Sequence, residues 1–434
     1  MLLIYNARLV DKNIDIKNSA VLIEKNKIAG FPSKTNVQML LKDPKVSSFN
    51  ARGLTLMPSF IDMHAHFRDP GLTQKEDIET GSKAAAAGGY GLLVLMPNTN
   101  PVISSQEAAL ANDKKAADFG FADVIQSVSI TKDFDGKTIS HLEELNAKSV
   151  PVITEDGKEV ADSDVMFRAM CTAAKKKLIV ACHCEDPSLA AAARPLRKEA
   201  LENAAADKGR AVKLLKQADE LLQLAEDCAT FRNMRLAEQS GCRLHLCHVS
   251  TAKCIEAVHR AKKDGIKVTC EITPHHLGLS ENKTNIFHIV NPPLRSESDR
   301  KALVKALLDG TADVISTDHA PHTLEDKAAG SPGFSGLETS FAVCNTVLVK
   351  QNGMKLKKLS ELMSARPAEI LGIKDRGLLK EGFDASLVLV DPDKQWTVRG
   401  EEFASKGKYT PLEGKKLTGT ISATFLHGKI VYQE

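Results

Sequence analysis

The chain has 434 residues, 43% hydrophobic and 26% charged, which excludes a disordered, collagen-like or mini-protein chain. Its 58 Lys and Arg against 55 Asp and Glu leave a net charge of +3, and aromatic residues make up only 5%. Neither a basic field nor a base-stacking platform for nucleic acid is therefore available. At ~100–200 residues per domain, the length predicts one large domain with a smaller one beside it.

The opening MLLIYNARLV is apolar but brief, and Asn6 and Arg8 interrupt it. It lacks the basic leader and small-residue cleavage site of a signal peptide. No apolar run approaches the ~20 residues that a bilayer span needs. The nine Cys are odd in number and scattered, which fits a reducing, cytoplasmic setting. Residues 1–56 read as short strands, LLIYNARLV and then SAVLIEKNKIAGF.

From residue 57 short apolar runs alternate with charged helical stretches. Eight runs stand out: 56–67, 90–97, 122–130, 150–155, 178–185, 243–250, 267–273 and 312–318. EDIETGSKAAAAG, SSQEAALANDKKAADFG and TAKCIEAVHRAKKDG are among the helical segments between them. Near-continuous apolar strands alternating with helices imply a parallel sheet covered on both faces. Eight such units predict an α/β fold with a (β/α)8 TIM barrel over 57–365; the count alone leaves an open doubly wound sheet as the alternative. Residues 186–242 are Ala-, Leu- and charge-rich and predict a helical insertion after strand five. Near the end SARPAEILGI reads as a helix, and KEGFDASLVLVD and TGTISATFLHGKIVYQE read as strands. Segments 1–56 and 366–434 are thus expected to build one small β-sandwich domain.

The polar residues fall at the ends of these runs, where a barrel gathers side chains at one mouth. Strand one ends His64-Ala65-His66, and alternation puts both imidazoles on one side. Strand four ends at Asp156, strand five at His183, strand six at His248 and strand eight at Asp318. Core packing does not explain four His and two Asp at five strand ends. A mixed N/O set suits a divalent ion, with Zn²⁺ the usual choice. Six ligands exceed one tetrahedral site with an open position; two metals bridged by a carboxylate and a hydroxide use them naturally. Cys182 and Cys184 alternate away from His183 and read as buried structural thiols, and His245 reads as a packed histidine.

The segments HAHFRDPG (64–71), PNTNP (97–101), EDG (155–157), HCED (183–186), HLCHVST (245–251), TPHHL (273–277), NPPLR (291–295), STDHAPH (316–322) and PGFSGLE (332–338) resemble dihydroorotase, a family of the metal-dependent amidohydrolase superfamily. The likeness runs from about residue 50 to 340. It implies that His64, His66 and Asp318 bind one Zn²⁺, that His183 and His248 bind a second, and that Asp156 and a hydroxide bridge them. Many relatives bridge with a carboxylated Lys; here strand four carries none. The family usually has two Asp before this Gly, and here the first is Glu155. We assign the bridge to Asp156 and leave a contribution from Glu155 open.

The resemblance further implies reversible hydrolysis of the cyclic amide of dihydroorotate to N-carbamoyl-aspartate, a step of pyrimidine synthesis, with Asp318 as the proton carrier. Arg68, Asn98 and His322 would form the substrate carboxylate pocket, and Asn291 with the backbone of Pro332 and Gly333 would meet the ring amides. A forked guanidinium suits a carboxylate. A homodimer is implied by resemblance only; association with a separate aspartate transcarbamoylase chain is left open. The rivals are another cyclic amidase, acting on hydantoin, dihydropyrimidine or allantoin, and a noncatalytic amidohydrolase-like partner subunit. Arg68 with Asn98 and His322 argues against the first, and the complete ligand set against the second.

Overall fold

In the computed structural model, which describes residues 1–281 and 288–434, both ends of the chain contribute to one sheet. Its strands are β1 (Leu2–Val10), β2 (Asp15–Glu24), β3 (Lys27–Gly30), β4 (Ser47–Asn50) and β5 (Thr55–Pro58), with three more from the C-terminal part. Register shifts between Ile4 and Leu9, around Asn6 with its left-handed backbone at φ 57°, interrupt the alternation of LLIYNARLV and bring both side chains into a cluster with Leu56, Leu387 and Phe425. Such burial stabilises by ~25 cal/mol per Å² of apolar surface, and it joins segments more than 300 residues apart in sequence.

Parallel strands follow in chain order: β6 (Phe60–Ala65), β7 (Tyr90–Leu95), β8 (Asp123–Gln126), β9 (Val128–Ser129), β10 (Val152–Thr154), β11 (Ile179–Cys182), β12 (Arg243–Leu246), β13 (Val268–Ile272) and β14 (Val314–Ile315). β6, β7 and β8 pair in that order, and β9 to β14 pair in theirs. Only Ser127 separates β8 from β9; its amide and its hydroxyl both donate to the Leu95 carbonyl. At the other end Ala65 pairs in parallel with His319, just past β14. There the His66 amide donates to the His319 carbonyl at 2.8 Å, and the Asp318 amide to the His64 carbonyl at 3.0 Å. All eight expected runs are strands, the last only two residues long.

The helices between them begin and end where local chemistry dictates. Asp77 and Thr80 form a reciprocal capping box at Ile78–Ala87. Ser105 caps Gln106–Phe119, which ends on left-handed Gly120, and Thr251 caps Ala252–Lys263. The insertion folds as helices Pro187–Asn203 and Lys208–Ser240, joined by Ala190, Ala193, Ala218 and Leu222.

The C-terminal strands are β15 (Leu387–Thr397), β16 (Lys416–Leu426) and β17 (Lys429–Gln433). The terminal sheet runs β17-β16-β15-β5-β1-β2-β3, with β4 also on β1. The helix Arg366–Leu371 does not join it. Its Ala368, Ile370 and Leu371 pack with Ile61, Leu92, Val152 and Val314 of the parallel strands. All nine cysteines are free thiols. Among the described residues no helix is long and apolar enough to cross a membrane.

Candidate active site

The C-terminal ends of the parallel strands carry the charged residues. His64 lies in β6 and His66 just beyond it; Asp156, His183, His248 and Asp318 follow β10, β11, β12 and β14. Asp156 is the hub. Its Oδ1 is 3.3 Å from His64 Nε2, 3.5 Å from His183 Nδ1 and 3.9 Å from His248 Nε2. Its Oδ2 is 3.4 Å from His66 Nε2. Asp318 Oδ1 faces His66 Nε2 at 3.2 Å and His64 Nε2 at 3.5 Å.

Among the described residues three groups have ligand atoms close enough to hold a cation: His64–Cys247–Glu271, His64–His66–Asp156 and Asp156–His183–His248; Asp156 belongs to the last two. The donor set fits a divalent ion on another ground. His64 Nε2 and Asp156 Oδ1 are buried 3.3 Å apart without a hydrogen-bond partner, a costly arrangement that a cation on these ligand atoms would relieve. Burial opposes charge on both residues. Yet Asp156 and Glu271 raise the His64 imidazole well above its usual range, and the histidines hold Asp156 well below the carboxylate range. Glu155 turns elsewhere: its carboxylate accepts from the amide and hydroxyl of Thr131.

Behind the ligands stands a carboxylate that sequence reasoning missed. Glu271 on β13 has no exposed surface; its Oε1 accepts from His64 Nδ1 at 2.7 Å and from the His248 amide at 3.1 Å. Its Oε2 meets His245 Nε2 at 3.0 Å. A carboxylate oxygen can only accept, so Nδ1 of His64 carries the proton and Nε2 is free to ligate. His245 is thus buried one layer below the ligands, packed as expected. His64 and Glu271 also lie close to Cys247. The lone Glu in the apolar run KVTCEIT was the available signal.

Of the twelve site residues named from sequence, eleven line one cavity of about 200 Å³; the twelfth, His64, is fully buried behind it. Arg68 stands on the rim with a left-handed backbone, φ 59°. Its Nε is buried and unpartnered, and among the described residues no carboxylate is within ion-pair distance of it. Burial lowers its pKa, a cost that an incoming anion would remove. His248 and Asp318 share the left-handed backbone, at φ 34° and 48°; such conformations persist where surrounding contacts enforce them.

The remaining pocket residues are more engaged than sequence suggested. Asn98 accepts from His66 Nδ1 at 2.9 Å and donates to Asp156 Oδ2 at 3.3 Å. Asn291 Oδ1 accepts from Arg197 Nη1 at 2.6 Å. His322 donates from Nε2 to the Pro332 carbonyl at 2.8 Å; burial, then Arg68 and Lys75, push it down to about 3, so the ring is neutral. Gly333 has φ +116°, and a Cβ there would lie 2.7 Å from Ala320 Cβ. His275 and His276 are buried outside the cavity.

Residues 55–431 match the model of the amidohydrolase family. The chain is 41% identical over 436 residues to a dihydroorotase of Clostridium botulinum, covering 100% of both chains. The chain belongs to the dihydroorotases, within the amidohydrolase family. A dihydroorotase of Sulfurihydrogenibium sp. is 38% identical to it, again over 100% of both chains. Among solved structures, an L-hydantoinase (dihydropyrimidinase) of Arthrobacter aurescens superposes with a TM-score of 0.87 at 25% identity, covering 100% of this chain and 96% of that one. The dihydroorotase family is metal-dependent, in keeping with the buried His/Asp groups around Asp156.

Proposed function

We propose that this chain catalyses the reversible hydrolysis of dihydroorotate to N-carbamoyl-aspartate, with two divalent cations, Zn²⁺ the first choice, held by the two groups that share Asp156. The observation that carries the substrate assignment is Arg68, a half-buried residue on the cavity rim whose Nε is buried and unpartnered. A hydantoin or dihydropyrimidine ring lacks the carboxylate that would answer it. The β6–β14 strands are read as one closed eight-unit barrel, supported by the Ala65–His319 pairing. Residues 1–56 and the strands after 386 are read as a β-sandwich, and the helix Arg366–Leu371 is counted with the barrel it packs on.

Such a metal pair supplies a water acidic enough to attack near neutral pH and polarises the amide carbonyl. The residues do the rest. Arg68 pairs with the substrate carboxylate and fixes the ring's orientation. Asn98, which lines the same cavity, has one amide hydrogen beyond the one given to Asp156 and can offer it to the substrate. Asn291, its carbonyl held by Arg197, presents its NH₂ to the ring carbonyl. Asp318 takes the proton of the attacking water and returns it to the ring nitrogen as the C–N bond breaks. In the reverse direction one carboxylate becomes a neutral amide, so closure consumes a proton and acid favours the ring.

The test is ring opening of dihydroorotate by the purified protein before and after chelation. Activity that vanishes on chelation and returns with Zn²⁺ is the expected result. A fully metal-loaded protein that leaves dihydroorotate intact contradicts the assignment.

A further inference from the structure

Two separate segments line the cavity where the dihydroorotase reading places the substrate ring: the stretch with Asn291 and the stretch with Pro332 and Gly333. Between them lies Lys327, on the helix Leu324–Ala328, only 3% exposed. Its Nζ donates to the carbonyls of Ile289 at 3.1 Å, Ser331 at 2.7 Å and Gly333 at 2.8 Å. An ammonium has three hydrogens and no acceptor, so these three carbonyls use its full capacity. One of them belongs to the Asn291 segment and two flank Pro332. The Gly333 amide adds a direct link, donating to the Ile289 carbonyl at 3.0 Å. On its outer side the ammonium lies 5.1 Å from the centre of the Tyr409 ring, which closes it off from water.

A buried ammonium with no carboxylate partner among the described residues is expensive. What only the ammonium provides is convergence: three carbonyls drawn to one point from two segments.

We propose that Lys327 is a positioning residue for substrate, clasping the Asn291 and Pro332–Gly333 segments at the separation that fits the ring. This rests on the dihydroorotase reading. Lys327 touches no metal ligand and does not line the cavity.

The experiment compares the metal-loaded wild-type protein with Lys327→Met and Lys327→Arg by amide hydrogen exchange and steady-state kinetics. Losing hydrogen bonds to a charged group predicts roughly tenfold faster exchange at the Gly333 amide in Lys327→Met, and a KM for dihydroorotate about tenfold higher with kcat within about threefold. Lys327→Arg, which keeps charge and donors, should recover part of both. If Lys327→Met does not fold, Lys327→Gln carries the same two readouts. Unchanged exchange at Gly333 overturns the clasp, and faster exchange with unaltered KM reduces Lys327 to a structural role. Should wild type fail to open dihydroorotate, the functional reading fails while the exchange arm still decides whether the clasp exists.

Discussion

Arg197 Nη1 donates to Asn291 Oδ1 at 2.6 Å. A guanidinium only donates, so this contact turns the carbonyl end of Asn291, a residue that lines the cavity, toward the helical insertion. The insertion therefore reaches the candidate site through one side chain. Arg197→Met should raise KM for dihydroorotate by roughly tenfold, the equivalent of one hydrogen bond to a charged group. Unaltered KM in steady-state kinetics would detach the insertion from substrate binding.

Glu271 sets the tautomer of His64 and also accepts from the His248 amide. Glu271→Gln keeps the shape but removes the charge. Carboxylates of this kind commonly contribute about 10–100-fold to metal affinity. Chelator competition should show a loss of that order; wild-type affinity would mean that the ligands hold their geometry without it.

Gly333→Ala forces a Cβ to within 2.7 Å of Ala320 Cβ and 2.8 Å of its carbonyl oxygen, at φ +116°. The backbone there must shift by a few tenths of an ångström or more. The expected outcome is a KM raised by about tenfold with metal content unchanged, since strain of ~1–3 kcal/mol falls on the substrate-facing turn alone. Elemental analysis with kinetics separates the two, and loss of metal instead would show that the turn supports the ligands.

His427 joins the terminal sheet to β8 by contacts to Asp384 at 2.8 Å and Asp123 at 3.1 Å. Hydrogen bonds to Asp123 and Asp384 raise it to about 9. A raised folded pKa stabilises fully below the unfolded value of ~6.5 and is lost as pH climbs through about 9. Melting temperature should fall across that window, and His427→Gln should flatten the fall. An identical slope in the variant would show that other groups cause it.

The parallel strands were legible as apolar runs that alternate with helical stretches, and five of those runs end in a candidate ligand. His64 and His66 gave themselves away by their i, i+2 spacing on a strand. What sequence could not show was occupancy. Asn98 reads as a free amide until its neighbours His66 and Asp156 are in place. His322 reads as a carboxylate donor, yet its Nε2 hydrogen is committed to Pro332. Arg197 and Lys327 sit in helices that look like ordinary surface helices, and only the tertiary fold brings them to the Asn291 segment. Glu271 was the exception: a lone acid in a buried strand already asks for a partner.

The most direct test of the account is the substrate preference set by Arg68. Steady-state kinetics of the Zn²⁺-loaded protein and of Arg68→Met should be measured on dihydroorotate and on dihydrouracil, the same ring without the carboxylate. Loss of a buried charge pair of ~2 kcal/mol or more predicts that Arg68→Met raises KM for dihydroorotate at least ~30-fold and leaves dihydrouracil no worse. Equal losses on both rings, or a wild-type protein that prefers dihydrouracil, would contradict the carboxylate pocket and turn the assignment toward a dihydropyrimidine or hydantoin ring.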